Sequence, residues 1–589
     1  MASFLRTASC GSLREHDVGK AVSLSGWVHR VRDLGGLIFL DLRDRFGLVQ
    51  IVLDSAENES VYQLGQELGQ EFVITIKGRV RLRKDPNDKL ETGKIEVCAD
   101  RLEILSKAKV PPICVADDLT EANEELRLKY RYLDMRKGKI LQNLVMRHKA
   151  MMVTRSFLDT CGFVEVITPM LSKSTPEGSR DYLVPSRVNP GTFFALPQSP
   201  QMFKQILMIG GLDRYFQIAT CCRDEDLRAD RQPEFSQIDM EMSFVTENEL
   251  FPIVEGLMQE IFKECLGVHI PVPFKRLTYD TCMELYGCDK PDLRFEMVLK
   301  RLDDLAKRSS FSVFHTILED GGLVKGLTVK GGADISRKGI DGYSAFVAQL
   351  GVKGLAWIKI QEGLFSSSLS KFIAPEDQAE WKERLDMQEG DLAFIIAGPQ
   401  KKTNQALDHL RRRLGKDRNL IKSGVYECHW VTDFPLFTYN EEEGRIESEH
   451  HPFTSPHLED LALLEKAPLQ ARSSSYDLVM NGYEMASGSQ RIHDPELQAR
   501  IFAILGMTVE ERKERFGFFI EALEYGTPPH IGLALGFDRI CMILSDTEAI
   551  RDVIAFPKTQ KAACLMTGAP SHVAPDQLQE LKIAKVSDS

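Results

Sequence analysis

"RDEDLRADRQPEFSQIDME", Arg223–Glu241, gathers seven acids and three arginines into nineteen residues, flanked by segments apolar enough to be core strands. Charge runs of this kind are ordinarily solvated loops. Here the periodicity points elsewhere, because the sequence alternates after Pro233. Phe235, Gln237, Asp239 and Glu241 fall on one side of a strand, and Ser236, Ile238, Met240 and Met242 on the other. RYFQIATCC, just before, reads as a second strand. Two antiparallel strands joined by a long charged loop bring Arg223 and Glu225 to the same side as the polar row. One face is then buried, and the opposite face is the floor of a polar pocket.

The rest of the chain frames that pocket. At 589 residues and 66.5 kDa it is too long for one core, so three or four domains are expected. Hydrophobic residues make up 43% and charged residues 27%, the balance of a soluble globular protein. No apolar run reaches the roughly 18 residues of a membrane span, and MASFLRTASCGSLREHD lacks a signal-peptide core, so a cytoplasmic, membrane-free protein is expected. Its twelve cysteines show no CxxC pairing of a zinc site and are expected to be reduced thiols. The net charge of -12 disfavours a polyanionic partner for the chain as a whole. Residues 1–108, however, hold 16 Lys+Arg against 16 Asp+Glu, so the front of the chain can meet nucleic acid.

Five short strands with turn signals at Gly35-Gly36 and Arg45-Phe46-Gly47, plus a helical piece near Val61 to Gly69, predict a small barrel of the oligonucleotide-binding (OB) kind over 1–108. In LIFLDLRD, Ile38, Leu40 and Leu42 share one face, while Phe39, Asp41 and Arg43 share the other. An aromatic among charges on the outer face suits the stacking of unpaired bases. Pro111-Pro112 and ADDLTEANEE open a linker over 109–140. A long helix from Gly138 to Cys161 and the strand GFVEVITPML follow. Residues 290–418 interrupt this pattern with their own helix and strand signals and are read as an inserted α/β domain. The glycines of GGLVKGLTVKGGADISRKG match no GxxxxGK[ST] phosphate loop. Strand patterns resume at Glu427 and run to HIGLALGFDRI.

Three of these segments resemble the signature motifs of class II aminoacyl-tRNA synthetases: GFVEVITPML (162–171) motif 1, the opening stretch motif 2, and GLALGFDR (532–539) motif 3. With TPEGSRDYLVPSR and ALPQSPQMFKQILM, the chain resembles the bacterial-type aspartyl-tRNA synthetases from near Cys10 to about Pro570. The resemblance implies an α+β multidomain protein. An N-terminal OB-fold barrel would read the anticodon, and an antiparallel-sheet catalytic domain would be split into 141–289 and 419–560 by an inserted domain of the GAD type. Residues 561–589 would be a C-terminal extension, and motif 1 implies a homodimer.

Site residues follow from the same resemblance. Arg223 is implied to bind the ATP α-phosphate and the amino-acid carboxylate, and Arg539 the γ-phosphate; a planar guanidinium fork suits such oxyanions. Phe235 is implied to stack on adenine with Arg539 near its other face, while Asp224, Glu225, Gln232, Glu484, Gly536, Phe537 and Asp538 complete the ATP set. SPQMFK begins a helix with Ser199 as cap and Pro200 in the first turn, so Gln201 and Lys204 share a face. Lys204 and Arg491 are implied to hold the side-chain carboxylate of L-aspartate, with Glu177, Gln201 and Asp239 around its ammonium and His450 closing over it. Mg²⁺ is implied on Asp477 and Glu484, and anticodon contacts on Arg32, Phe39 and Gln50. Ala486 and Ser487 stand where many bacterial members have glycines, a departure in the backbone path beside ATP. Cys222 replaces the aromatic usual before Arg223.

The expected reaction is ATP-driven formation of aspartyl-adenylate and transfer to tRNA(Asp). Leu34 occupies a position often held by histidine in members that also charge tRNA(Asn), which leans toward tRNA(Asp) alone; a non-discriminating Asp/Asn enzyme is the alternative. A non-catalytic RNA-binding paralogue is disfavoured because Arg223, Glu484 and Arg539 are all present. An asparaginyl or lysyl specificity is disfavoured by Lys204 and Arg491, and a class I reading of HIGL by its late position in the chain.

Overall fold

The computed structural model describes residues 5–116, 122–175, 179–227 and 229–584. Two compact units emerge, one from Met1–Val145 with Ile554–His572 and the other from Met146–Val553 with Val573–Ser589.

In the first unit, strands Ala21–Asp33, Leu37–Asp44, Gly47–Asp54, Ile95–Ser106 and Val73–Leu82 close, in that spatial order, into a barrel. The alternation in LIFLDLRD is realised: Ile38, Leu40 and Leu42 are fully buried in the barrel core, and Phe39, Asp41 and Arg43 are not. Register sets Arg32 opposite Phe39, and Gln50 opposite Asp41. Helix Glu59–Gln66 overlaps the expected piece near Val61 to Gly69 but starts two residues earlier and ends three residues sooner. After the barrel, helices Glu124–Lys129 and Arg131–Asp134 share a small core built on Ile113, Val115 and Leu133. The buried Arg131 pairs with Asp134 at 2.9 Å and donates to the carbonyls of Ile554 and Ala555. Part of the 109–140 segment read as a linker, and residues on both sides of the 560/561 boundary, therefore pack in one unit. A buried guanidinium can be tolerated only where such acceptors converge.

The second unit is built on an eight-stranded sheet in the order Lys275–Thr278, Cys428–Thr432, Ser475–Met480, Tyr483–Gln490, His530–Gly536, Glu234–Ser243, Arg214–Cys222 and Val164–Glu165. All pairings are antiparallel except the outermost at each edge. One face packs on long helices. Helix Glu247–Leu266 opens with a Thr246/Glu249 capping box and stacks Phe251 on Trp430 at 4.0 Å, and Trp430 donates to the buried Glu255. Helix Lys139–Thr160 sends Arg147 to Ser236 and Asp538. The short edge strand Val164–Glu165 replaces the longer one expected from GFVEVITPML. Past it the chain carries exposed apolar side chains at Ile167, Met170 and Leu171.

Residues 300–398 supply a separate five-stranded antiparallel sheet, ordered Lys300–Arg301, Leu323–Val329, Leu392–Gly398, Ala356–Gln361, Leu364–Ser367. Apolar cores line both of its faces, one under helices Arg337–Gln349 and Gln400–Asp417, the other under helices Asp303–Arg308, Ser312–Glu319 and Gln378–Arg384.

The open face of the large sheet is hollow for a reason visible in the register. Asp477, Ser487, Ala534, Asp239 and Gln217 form one lateral row, and Ser475, Ser489, Gly532, Glu241 and Tyr215 the next. Small residues occupy the two central strands, and the carboxylates stand beside them. A Cβ on Gly532 would lie 1.8 Å from Glu241 Oε2, and one on Gly488 would lie 2.3 Å from the Gly532 carbonyl oxygen. Gly532→Ala should therefore cost at least about 1–3 kcal/mol through overpacking. The Met240 carbonyl oxygen, 2.3 Å from the same Cβ, adds a backbone clash; urea unfolding checks this, and an unchanged midpoint would mean that both Glu241 and that strand have room to move aside.

Candidate functional site

The hollow is a cavity of about 480 Å³. Its wall includes Arg223, Glu225, Gln232, Phe235, Asp239, Gln201, Lys204, His450, Asp477, Glu484, Arg491, Gly536, Asp538 and Arg539. The charged stretch that opened the sequence reading is thus one wall of it, and the strand pair joins in antiparallel register, Cys222 opposite Glu234 and Tyr215 opposite Glu241.

At the deep end four ionisable side chains are buried together. Lys204 Nζ lies 2.7 Å from Asp239 Oδ1 and 3.3 Å from Glu241 Oε2. Arg491 pairs with Glu241 through Nε at 2.9 Å and Nη2 at 3.2 Å. Lys204 is 1% exposed, and the other three 2% or less, so water does not screen this quartet. Burial pushes Asp239 up to about 6, against the opposing pull of Lys204. Burial also pushes Glu241 upward, but Arg491 and Lys204 outweigh it and hold that carboxyl below its usual range. His451 is held well below its ordinary value by burial and by the Arg491 charge, and its Nε2 lies 2.7 Å from Arg491 Nη1. A neutral ring accepting that guanidinium hydrogen fits both facts. Among the described residues, Asp239 Oδ2 and Gln201 Nε2 are buried with no hydrogen-bond partner. Buried polar atoms without partners are rare enough to mark where a ligand's own polar groups belong.

At the outer end, Arg223 sits over the Phe235 ring at 5.0 Å. Among the described residues it has no ion-pair partner, which leaves its fork free for an oxyanion. Arg539 donates to the Glu484 carbonyl at 2.7 Å and pairs with Asp230 at 3.2 Å. Asp477 and Glu484 stand on adjacent strands, Ser475–Met480 and Tyr483–Gln490. His450 Nε2 is 3.6 Å from Asp477 Oδ1. Burial lowers the pKa of His450, yet Asp477 and the nearby Glu449 and Glu484 raise it overall above its usual value.

Several sequence expectations need amendment. Asp224 lies off the cavity wall, paired with Arg180 at 3.5 Å, beyond the end of strand Arg214–Cys222. Phe537 is fully buried under the Arg147 guanidinium rather than in the cavity. Asp538 reaches the wall, but one carboxylate oxygen engages Arg147 and the other accepts the Ser236 amide at 2.8 Å. The helix starts at Gln201 with Pro200 as its cap residue, and Ser199 Oγ accepts the Gln201 amide at 3.3 Å. Glu177 lies outside the described residues. Ser487 sits in regular strand pairing, and the irregularity falls just beside Ala486, where Leu478 pairs with Ala486, Val479 pairs with Glu484 and Met485 is skipped. Cys222 is buried in the strand pair.

His451, Asp230 and Asp289 line the cavity although the sequence reading assigned them no role, and Glu241 stands behind its wall against Lys204 and Arg491. For Glu241 the alternation signal was present; for the others no spacing distinguished them from surface charge. On the barrel, Arg32 donates to Gln50 Oε1 at 3.3 Å and Gln50 donates to the buried Glu96 at 2.8 Å, a polar row beside Phe39.

Comparison with known proteins gives a consistent match. Residues 123–560 fit the family described as tRNA synthetases class II (D, K and N), and residues 22–105 fit the OB-fold nucleic acid binding domain. The aspartate--tRNA(Asp/Asn) ligase of Protochlamydia amoebophila (strain UWE25) is 59% identical over 591 residues, covering 100% of this chain and 98% of the relative. That of Chlamydia muridarum is 56% identical over 578 residues, covering 98% and 99%. In fold, the chain is similar to an asparaginyl-tRNA synthetase from Pyrococcus horikoshii solved with asparaginyl-adenylate: TM-score 0.58, 18% identity, 94% of this chain and 98% of that one covered.

The quartet makes a direct prediction. Glu241→Gln leaves Arg491 buried without its main carboxylate and should destabilise the protein by about 3–5 kcal/mol. Urea unfolding of the two forms measures it, and a loss below 1 kcal/mol would show the four charges to be independent.

Proposed function

Because the chain belongs to the class II tRNA synthetases of the D, K and N group, we propose that it activates L-aspartate with ATP and transfers it to tRNA(Asp) and tRNA(Asn). The observation that carries the activation step is one cavity lined by Arg223, Arg491, Arg539 and Lys204, with carboxylates between them. The aspartate α-carboxylate attacks the α-phosphorus of ATP, pyrophosphate leaves, and the 3′-hydroxyl of the tRNA's terminal adenosine then displaces AMP from the adenylate. No protein nucleophile is needed; positioning and charge stabilisation supply the rate. Arg223 holds the attacking carboxylate and the α-phosphate together, and Arg539 meets the γ-phosphate. Phe235 gives the adenine a stacking surface, with Arg223 moving off its face. Asp239 and Gln201 receive the substrate ammonium end, and Lys204 and Arg491 the side-chain carboxylate.

Asp477 and Glu484 fit a magnesium ion. Both are hard oxygen donors on the same wall, Asp477 Oδ1 is buried without a hydrogen-bond partner, and among the described residues no third carboxylate, histidine or cysteine completes a protein-only cluster. Phosphate oxygens and water would supply the remaining ligands. When bound, the ion would add positive charge beside the departing pyrophosphate.

The exposed apolar side chains of Val164, Ile167, Met170 and Leu171 support a homodimer built across this edge. Arg32, Phe39 and Gln50 are the proposed anticodon contacts, on domain limits of 1–108 for the barrel and 290–418 for the insert. Leu34, 71% exposed at the end of the first barrel hairpin, speaks for tRNA(Asp) alone. The names of relatives alike over essentially the whole chain speak for both tRNAs and outweigh one side chain. A cytoplasmic location suits tRNA charging, and no helix among the described residues is long and apolar enough to cross a membrane.

Aspartate-dependent exchange of pyrophosphate into ATP should be readily measurable, and purified tRNA(Asp) and tRNA(Asn) should both be charged with aspartate. Absence of exchange at saturating substrate removes the activity, and charging of tRNA(Asp) alone restores the narrower reading. The pH dependence has a definite sign. Asp239 titrates at about 6, so below that it is neutral and cannot hold an ammonium group. The KM for aspartate should rise as pH falls through 6, while the KM for ATP responds less; Asp239→Asn should bind aspartate weakly at every pH. The same raised value means that ionising Asp239 costs folding stability, so its contribution to stability is lost as pH climbs from the ordinary carboxylate range through 6.

A further inference from the structure

The inserted sheet is tied to the cavity through two consecutive arginines of helix Gln400–Asp417. Arg411, fully buried, donates to the carbonyls of Asp292, Phe295 and Met297 at 2.8–2.9 Å and lies over the Phe295 ring at 4.1 Å. It fixes the segment that enters the insert. Arg412 does something different: it joins two segments that each carry a cavity residue. Its Nη2 donates to the Lys290 carbonyl at 2.9 Å, its Nη1 to the Gly482 carbonyl at 3.3 Å, and its Nε is anchored by Asp408 at 3.0 Å.

Gly482 belongs to the two-residue Asn481-Gly482 turn, with φ of 54° and 83°, that joins strands Ser475–Met480 and Tyr483–Gln490. Asn-Gly is the pairing that such a hairpin turn demands. Glu484 is two residues beyond it. Lys290 extends its ammonium toward the same place, 3.7 Å from Glu484 Oε2 and 3.3 Å from Asp289 Oδ2. Arg412 therefore grips the tip of the hairpin that bears Glu484 and the strand of chain that bears Asp289 and Lys290. A planar fork with donors in fixed directions can set the spacing of two carbonyls in a way an ammonium cannot.

We propose that Arg412 is a positioning residue for the metal-nucleotide end of the cavity, and that the inserted domain acts on the reaction by fixing Glu484 through it. The proposal rests on the reading of Asp477 and Glu484 as magnesium ligands. Residues that orient metal ligands from behind typically change metal affinity or activity by about 10–100-fold when altered. The aspartate quartet is held by separate contacts to Lys204 and Arg491 and should not sense the change.

The test uses the full-length chain, wild type and Arg412→Lys and Arg412→Met, with ATP affinity measured by calorimetry in excess Mg²⁺ and again in EDTA, and aspartate affinity measured alongside. Arg412→Lys keeps the charge and most of the volume, so it carries the test if Arg412→Met does not fold. The expected result is at least about tenfold weaker ATP binding in Mg²⁺, no change in EDTA, and unchanged aspartate affinity. Equal losses with and without metal, a parallel loss of aspartate binding, or wild-type affinity in Arg412→Lys would each overturn the proposal. Wild-type ATP affinity that ignores Mg²⁺ would instead remove the metal reading beneath it, an outcome distinguishable because it appears before any substitution is made.

Discussion

Two cations and two carboxylates, Lys204, Arg491, Asp239 and Glu241, lie together out of reach of water at the bottom of the cavity, and the remainder of the second unit can be understood as what makes that tolerable. An isolated buried charge costs several kcal/mol, and pairing offsets this only with short contacts and further hydrogen bonds. Here the contacts run from 2.7 to 3.3 Å, and His451 and Ser489 take up Arg491 Nη1. The charges come from three places far apart in sequence: helix Gln201–Ile209, strand Glu234–Ser243, and the residue just after strand Tyr483–Gln490. Only a sheet with its central strands in one register brings them within contact distance.

That register demands small side chains where the chain has them. Serine, alanine and glycine occupy the central positions of MASGSQ and GLALG, and the glycine opposite Glu241 leaves no space for even a methyl group. The cavity is therefore a consequence of residue size on two strands rather than of a loop folded away. Ala486 and Ser487 meet the same demand: both pair with the neighbouring strands, and both are small. The adjacent Gly488 is different, since any side chain there would run into the Gly532 carbonyl.

Period-two patterning made the most important surfaces legible before any coordinates. The alternation in FSQIDMEM assigned the cavity face correctly, and that in LIFLDLRD separated the barrel core from Phe39, because in both strands one face is buried and the other is not. Patterning failed where tertiary packing decided the matter. Asp224 and Phe537 sit inside recognisable motifs, but a motif position does not say which way a side chain points after the strand ends or the helix begins. Arg131 reaches two carbonyls more than 400 residues away, a contact no local signal encodes. His451, given no role beside its neighbour His450, is the histidine against Arg491.

The quartet also suggests how an amino acid can enter a site whose cations are already occupied. Lys204 and Arg491 are not idle charges waiting for a ligand; each is neutralised by a carboxylate of the same strand. On the proposed reading, the ammonium group of aspartate takes over Asp239, which frees Lys204 for the substrate's side-chain carboxylate, so one ion pair is exchanged for two and no charge is left alone. Asparagine would bring the ammonium without the carboxylate. It would draw Asp239 away from Lys204 and leave that buried ammonium only Glu241, which Arg491 already shares, the kind of charge imbalance that separates close analogues by about 10⁴-fold without any steric barrier. Selectivity then arises from the balance of charge in a closed space, and it depends on Asp239 being ionised. A carboxyl that burial has pushed up to about 6 is poised at the edge of that condition, so proton concentration and substrate ammonium compete for the same oxygen.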